Sequence, residues 1–100
     1  IWHRETPVYV SLVFVLPRPK TVKRDNHTVK PDLDKLIRAV LDGITRADLW
    51  VDDAQVVAIQ ASKEYAKDDE QTGVWIEIAQ GYPYSDLNRE PLDSPVWVGE

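Results

Sequence analysis

A chain of 100 residues with 43% apolar content can enclose one core and is read as a single small domain. It has no Cys, which excludes disulfides and thiolate metal sites and fits a reducing, cytoplasmic setting. No apolar run reaches the roughly 18–20 residues of a membrane span, no signal-peptide pattern is visible, and a net charge of −5 argues against a simple nucleic-acid binder.

Residues 1–6 carry no pattern and read as a loose end; His3 has no role there. Pro7 to Leu16 is β-branched and aromatic and predicts a strand. Val8, Val10, Leu12, Phe14 and Leu16 share one face, while Tyr9, Ser11, Val13 and Val15 share the other. Both faces are partly apolar, so a central strand is expected. Pro17 and Pro19 end it.

Residues 17–30 form a long loop with Arg18, Lys20, Lys23, Arg24 and Lys30 opposed by Asp25 alone, a local charge of +4 in a chain of −5. Such asymmetry suggests an anion-binding surface on an acidic body; the plain alternative is a solvated connection. His27 is a possible phosphate contact, with a surface histidine the expected reading.

Leu33, Leu36, Ile37, Val40, Leu41 and Ile44 then fall on one stripe of a helix that starts within 32–34 and runs to about 46. Pro at the entry and Asp in the first turn suit its N-terminus. If the backbone at Asp48 after the helix is left-handed, Asp is among the few residues that tolerate it. Trp50 to Asp53 reads as a turn and Gln55 to Tyr65 as a strand, with Val57, Ile59 and Ala61 on one face and Val56, Ala58, Gln60 and Ser62 on the other. Residues 67–73 read as a charged hairpin loop before a returning strand, Val74 to Gln80, with Val74, Ile76 and Ile78 inward. From Gly81 the chain is polar and carries Pro83, Pro91 and Pro95, so a largely irregular tail pinned by Trp97 is expected over 81–100. The fold class is α+β: a mixed or antiparallel sheet of about three strands with one main amphipathic helix packed on it.

Four carboxylates flank the helix. Asp32 and Asp34 are two apart, about 200° around a regular helix but on one side of an extended segment. To act together, Asp32 must therefore lie in non-helical backbone. Asp32 and Asp34 can equally be a cap and a dipole partner, and Asp52 and Asp53 can be turn residues. If the carboxylates gather, a divalent cation must offset their repulsion, and oxygen-only ligands suit Mg²⁺. The chain after the helix is expected to fold back, so that the second pair meets the first.

The stretch from Lys30 to Val57 resembles the RusA family of Holliday-junction resolvases. The resemblance rests on Asp32-Leu33-Asp34 opening a helix, a base at Arg38, and Trp50-Val51-Asp52-Asp53-Ala54-Gln55-Val56 after it. It implies a metal-dependent endonuclease acting on four-way junctions as a homodimer, with Asp32, Asp34 and Asp53 as catalytic ligands of Mg²⁺. Asp52 is the less favoured member of its pair, and Gln55 is expected to support the turn. The family has Lys where this chain has Arg38, so the role there carries over as electrostatic only, since Arg does not give up its proton. The family also has a strand and helix before the first strand seen here. The resemblance therefore points to residues 1–80 as a RusA-like domain that starts without them. A DNA- or protein-binding module without catalysis, and a structural domain with capping aspartates, remain open alternatives.

Overall fold

β-Branched and aromatic residues make β1 (Val8–Leu16) the middle of the sheet. It pairs in parallel with β2 (Val56–Tyr65) and antiparallel with β3 (Gly73–Gln80). The computed structural model describes residues 5–80, 90–91 and 96–99. Two short strands, β4 (Glu90–Pro91) and β5 (Val96–Gly99), pair antiparallel with β3. The architecture is α+β with a mixed sheet, and it has more strands than the expected three because of these two short additions.

The helix α1 (Leu33–Arg46) covers one face of this sheet. Val8, Val10, Leu12 and Phe14 form the buried cluster with Trp50 and Ile78, and the apolar stripe of α1 packs on it. Full burial of a side chain such as Leu12, 1% exposed, is worth about 1.5–3 kcal/mol. No residue of α1 is fully buried, so each contributes less than that. On the other face Tyr9 and Val15 are buried as well, as expected of a central strand.

Three expectations are corrected. Residues 67–72 do not close a hairpin: β1 lies between β2 and β3, and both pair with it rather than with each other. The alternation along β2 breaks at its start. A bulge beside Val8 and Tyr9 lets Val56 face Val8 and join the helix-covered core with Ala61, while Val57 is exposed. A single extra residue in a strand reverses which face its neighbours occupy. In the tail, Val96–Gly99 is a strand rather than irregular chain, and the Trp97 ring lies 4.9 Å from that of Trp75. Residues 81–89, 92–95 and 100, the rest of that expectation, lie outside the described residues, as do residues 1–4 of the loose end.

The end of α1 is built as its sequence suggests. Asp48 has φ 61°. Its amide donates to the Thr45 carbonyl, and the Leu49 amide donates to that of Ile44. These two bonds close a Schellman motif and satisfy carbonyls the helix leaves open.

Candidate active site and nucleic-acid interface

At the entry to α1, Asp32 is the N-cap residue with φ −72° and ψ 140°, extended backbone, and its side chain does not cap the helix. Asp34 is in the first turn. The pair is thus not split across opposite faces of a regular helix. Lys35 Nζ lies 3.9 Å from Asp32 Oδ2, between two exposed side chains, a contact of little energetic weight. Arg38 and Asp34 make no ion pair with each other. Instead both line a shallow cleft with Lys35, Ala39 and Asp42, so the guanidinium and the two carboxylates share one open surface along the helix.

The second acidic pair stands at the far end of α1. Trp50, 1% exposed, anchors the connection, with its indole Nε1 donating to Thr45 Oγ1 at 2.7 Å. Asp52 caps a short 3₁₀ turn, Asp53–Gln55, by accepting from the Ala54 amide at 3.0 Å. Gln55 is buried in this turn. Its Oε1 accepts from the amides of Val51 and Asp52, and its Nε2 donates to the Thr6 carbonyl. Gln55 therefore ties the Asp52–Asp53 corner to the chain just before β1. A side-chain hydrogen bond with Asp52 raises the Asp53 carboxyl above the ordinary aspartate range. Partial desolvation and the negative charges of Asp52 and Asp42 act in the same direction.

Asp32 and Asp34 on one side, and Asp53 on the other, are not brought together within one chain. Among the described residues, no group of three or more His, Asp or Glu side chains is gathered closely enough to hold a metal ion. The reason lies in the order of elements. The chain does return toward the helix entry, but it does so along β2, and Asp53 precedes that strand. The 14 residues of α1 at ~1.5 Å each span about 21 Å. Asp42, which sequence reasoning passed over, is the helix carboxylate that Asp53 feels.

The basic loop is organised by the end of β2. Arg18 donates to the Arg24 carbonyl at 2.8 Å and to that of Val22 at 3.4 Å. Its guanidinium sits 4.3 Å from the centre of the Tyr65 ring, and that of Arg24 sits 5.7 Å away. His27 is 7% exposed, not a surface histidine, and its ring lies 4.7 Å from that of Tyr65. The loop thus folds around an aromatic side chain far along the sequence, which no local pattern announces. Lys63, two residues before Tyr65, donates to the carbonyls of Val29 and Pro31 at 2.5 and 2.9 Å. Lys20, Lys23 and Lys30 are exposed. Of the expected phosphate contacts, Arg18 and Arg24 also shape the loop, while these three lysines face solvent.

An extended Asp at a helix entry, an Asp pair at a capped turn, and a basic loop leading into the first of them define an acidic α+β domain with one basic segment. The family description endodeoxyribonuclease RusA matches residues 3–79, which include every one of these features. The chain belongs to the RusA endodeoxyribonuclease family. Searches of curated proteins and of solved structures return no match. No helix among the described residues is long and apolar enough to cross a membrane.

Proposed function

We propose that this protein is a Mg²⁺-dependent endonuclease that cuts Holliday junctions or related branched DNA in recombination and repair, acting as a homodimer. The observation that carries this reading is the family match over residues 3–79, which spans both acidic pairs and the basic loop. The ion would be held by Asp32, Asp34 and Asp53, an oxygen-only set that suits a hard cation. When bound, it would polarise a phosphoryl oxygen and lower the pKa of a water molecule.

Dimerisation is part of this reading for a geometric reason. Helix α1 separates Asp34 from Asp53 by most of its length, so one chain alone does not assemble three ligands. Two copies related by a two-fold axis, with their α1 helices antiparallel, would put Asp53 of the partner subunit beside Asp32 and Asp34. A four-way junction is itself close to two-fold symmetric, and paired cuts need two such sites. Each chain's own residues have separable tasks. The exposed lysines of the basic loop attract phosphate, Arg38 offsets charge developing at the phosphorus or the leaving oxygen, and Gln55 holds the Asp52–Asp53 corner.

The test is incubation with a synthetic four-way junction, with and without Mg²⁺. Symmetric cuts that need the ion are expected, along with their loss in Asp53→Asn while junction binding remains. Cleavage by Asp53→Asn at the wild-type rate would remove Asp53 from the site. That no three-carboxylate group is preassembled among the described residues of one chain favours a second reading, a binding module without catalysis. Junction binding with no cleavage under any divalent ion would establish that reading instead.

A further inference from the structure

We infer that Lys63 is a positioning residue for Asp32, acting from β2 through the backbone that leads into α1. This inference rests on the reading of Asp32 as a metal ligand. Lys63 Nζ donates to the carbonyls of Val29 and Pro31, at 2.5 and 2.9 Å, and so bridges the last residues of the basic loop. Pro31 immediately precedes Asp32, which is extended and makes no side-chain capping hydrogen bond to its own helix. Within the helix only the exposed 3.9 Å contact with Lys35 reaches the Asp32 carboxylate, too weak a contact to fix its direction, and the Pro31 carbonyl is the adjoining backbone group held by another element.

The chemistry of Lys suits this task. An ammonium offers three donors on a flexible stem and can serve two carbonyls that a neutral side chain of similar reach could not. Charged donors also make the stronger hydrogen bonds. Lys63 lies opposite Phe14 of β1 in the sheet, so the tether runs from a residue paired to the central strand. Tyr65, two residues on and on the same side of β2, holds Arg18, Arg24 and His27. The far end of β2 thus grips the basic loop at two points, and Lys63 is the grip next to the acidic residue.

The experiment compares full-length wild type, Lys63→Met, Lys63→Gln and Lys63→Arg. Amide hydrogen exchange is followed at Leu36, whose amide donates to the Asp32 carbonyl at 3.2 Å, and at its neighbour Ile37, and Mn²⁺ binding is followed by calorimetry without DNA. The Met variant is expected to exchange about tenfold faster at these amides, with β1 unchanged. It should bind Mn²⁺ about tenfold more weakly, as loss of an outer support for a metal ligand does. Lys63→Arg, which keeps the charge and the donors, should restore most of both, and Lys63→Gln should fall between them. If the Met variant fails to fold, the Gln and Arg pair carries the comparison. Unchanged exchange overturns the inference. So does faster exchange with unchanged Mn²⁺ affinity, which would make Lys63 a loop fastener only. A wild type that binds no Mn²⁺ refutes the metal reading itself, an outcome visible before any Lys63 variant is examined.

Discussion

Trp50 and Thr45 are joined by a 2.7 Å hydrogen bond from indole to hydroxyl, and this bond locks the end of α1 to the corner that carries Asp52 and Asp53. Thr45→Val keeps the shape but leaves a buried N–H without its acceptor. A loss of about 1–3 kcal/mol is expected in urea unfolding, the cost of an unsatisfied buried donor. A variant as stable as wild type would mean that the indole finds another acceptor.

A site shared between two copies makes a prediction that a site within one chain does not. Asp34→Asn and Asp53→Asn should each be inactive alone. In a heterodimer of the two, one site combines the intact Asp34 of one copy with the intact Asp53 of the other. Co-expressed and purified as a heterodimer, the pair should nick one strand of the junction. A heterodimer with no activity, beside an active wild type, would place all three ligands on one chain.

Asp53 should titrate above the ordinary aspartate range in the metal-free protein, because Asp52 shares a hydrogen bond with it and Asp52 and Asp42 add negative charge. Asp52→Asn should lower its midpoint, as read by carboxyl carbon NMR shifts. The sign for stability follows from the raised folded value. The native state holds this proton more tightly than the unfolded chain does. The contribution is therefore fully present below the unfolded pKa and is lost as pH rises through the folded one. Bound Mg²⁺ would favour the ionised form and reverse that trend.

Lys20 and Lys23 are exposed lysines within the basic loop, whereas Arg18 and Arg24 also stack on Tyr65. Replacing both lysines by Ala should weaken junction binding for all sequences alike. The slope of log K against log salt should become shallower by about 0.9 for each phosphate that is no longer neutralised. Parallel lines of equal affinity would mean that DNA is held elsewhere. Tyr65→Ala should weaken binding too, by disordering the loop while every positive charge remains.

Asp48 adopts a left-handed conformation that an L-residue tolerates at a cost and Gly does not resist. Asp48→Gly should therefore stabilise the fold by about 0.5–1 kcal/mol in urea unfolding, in the range of other cap improvements. It should leave junction cleavage unchanged. A destabilised variant would show that the Asp48 side chain contributes more than its backbone costs.

Much of the fold was legible because periodicity reports burial directly. The alternation of Val8 to Leu16 and the stripe from Leu33 to Ile44 place β1 and α1 within a residue or so of their observed limits. Strand order was not legible. Nothing in residues 67–73 says that β1 will occupy the gap between β2 and β3, since local turn chemistry is the same for a hairpin and for a connection across an intervening strand. The bulge at the start of β2 escaped for a similar reason: one surplus residue leaves no mark on composition. The aspartates themselves were found through motif and spacing. Their separation along α1, the burial of His27 and the reach of Lys63 depend on which distant elements meet. A sequence pattern reports on neighbours within a turn or two of chain, not on partners half the molecule away.

The central position of β1 also governs how the chain can fold. Strands β2 and β3 follow one another in sequence but meet only through β1, and β1 joins β2 in parallel after a crossover from residue 16 to residue 56. No local hairpin among these three strands can therefore start the sheet. Assembly must close long loops before any ladder forms, which is the slow limit of two-state folding. Until β1 docks, β2 and β3 each expose an unpaired edge, and α1 lacks most of the surface it covers. Folding rate should depend on β1 far more than on β4 or β5, which join an already formed edge. Substitutions in Val10 or Leu12 would slow folding, while changes near Val98 would mainly speed unfolding.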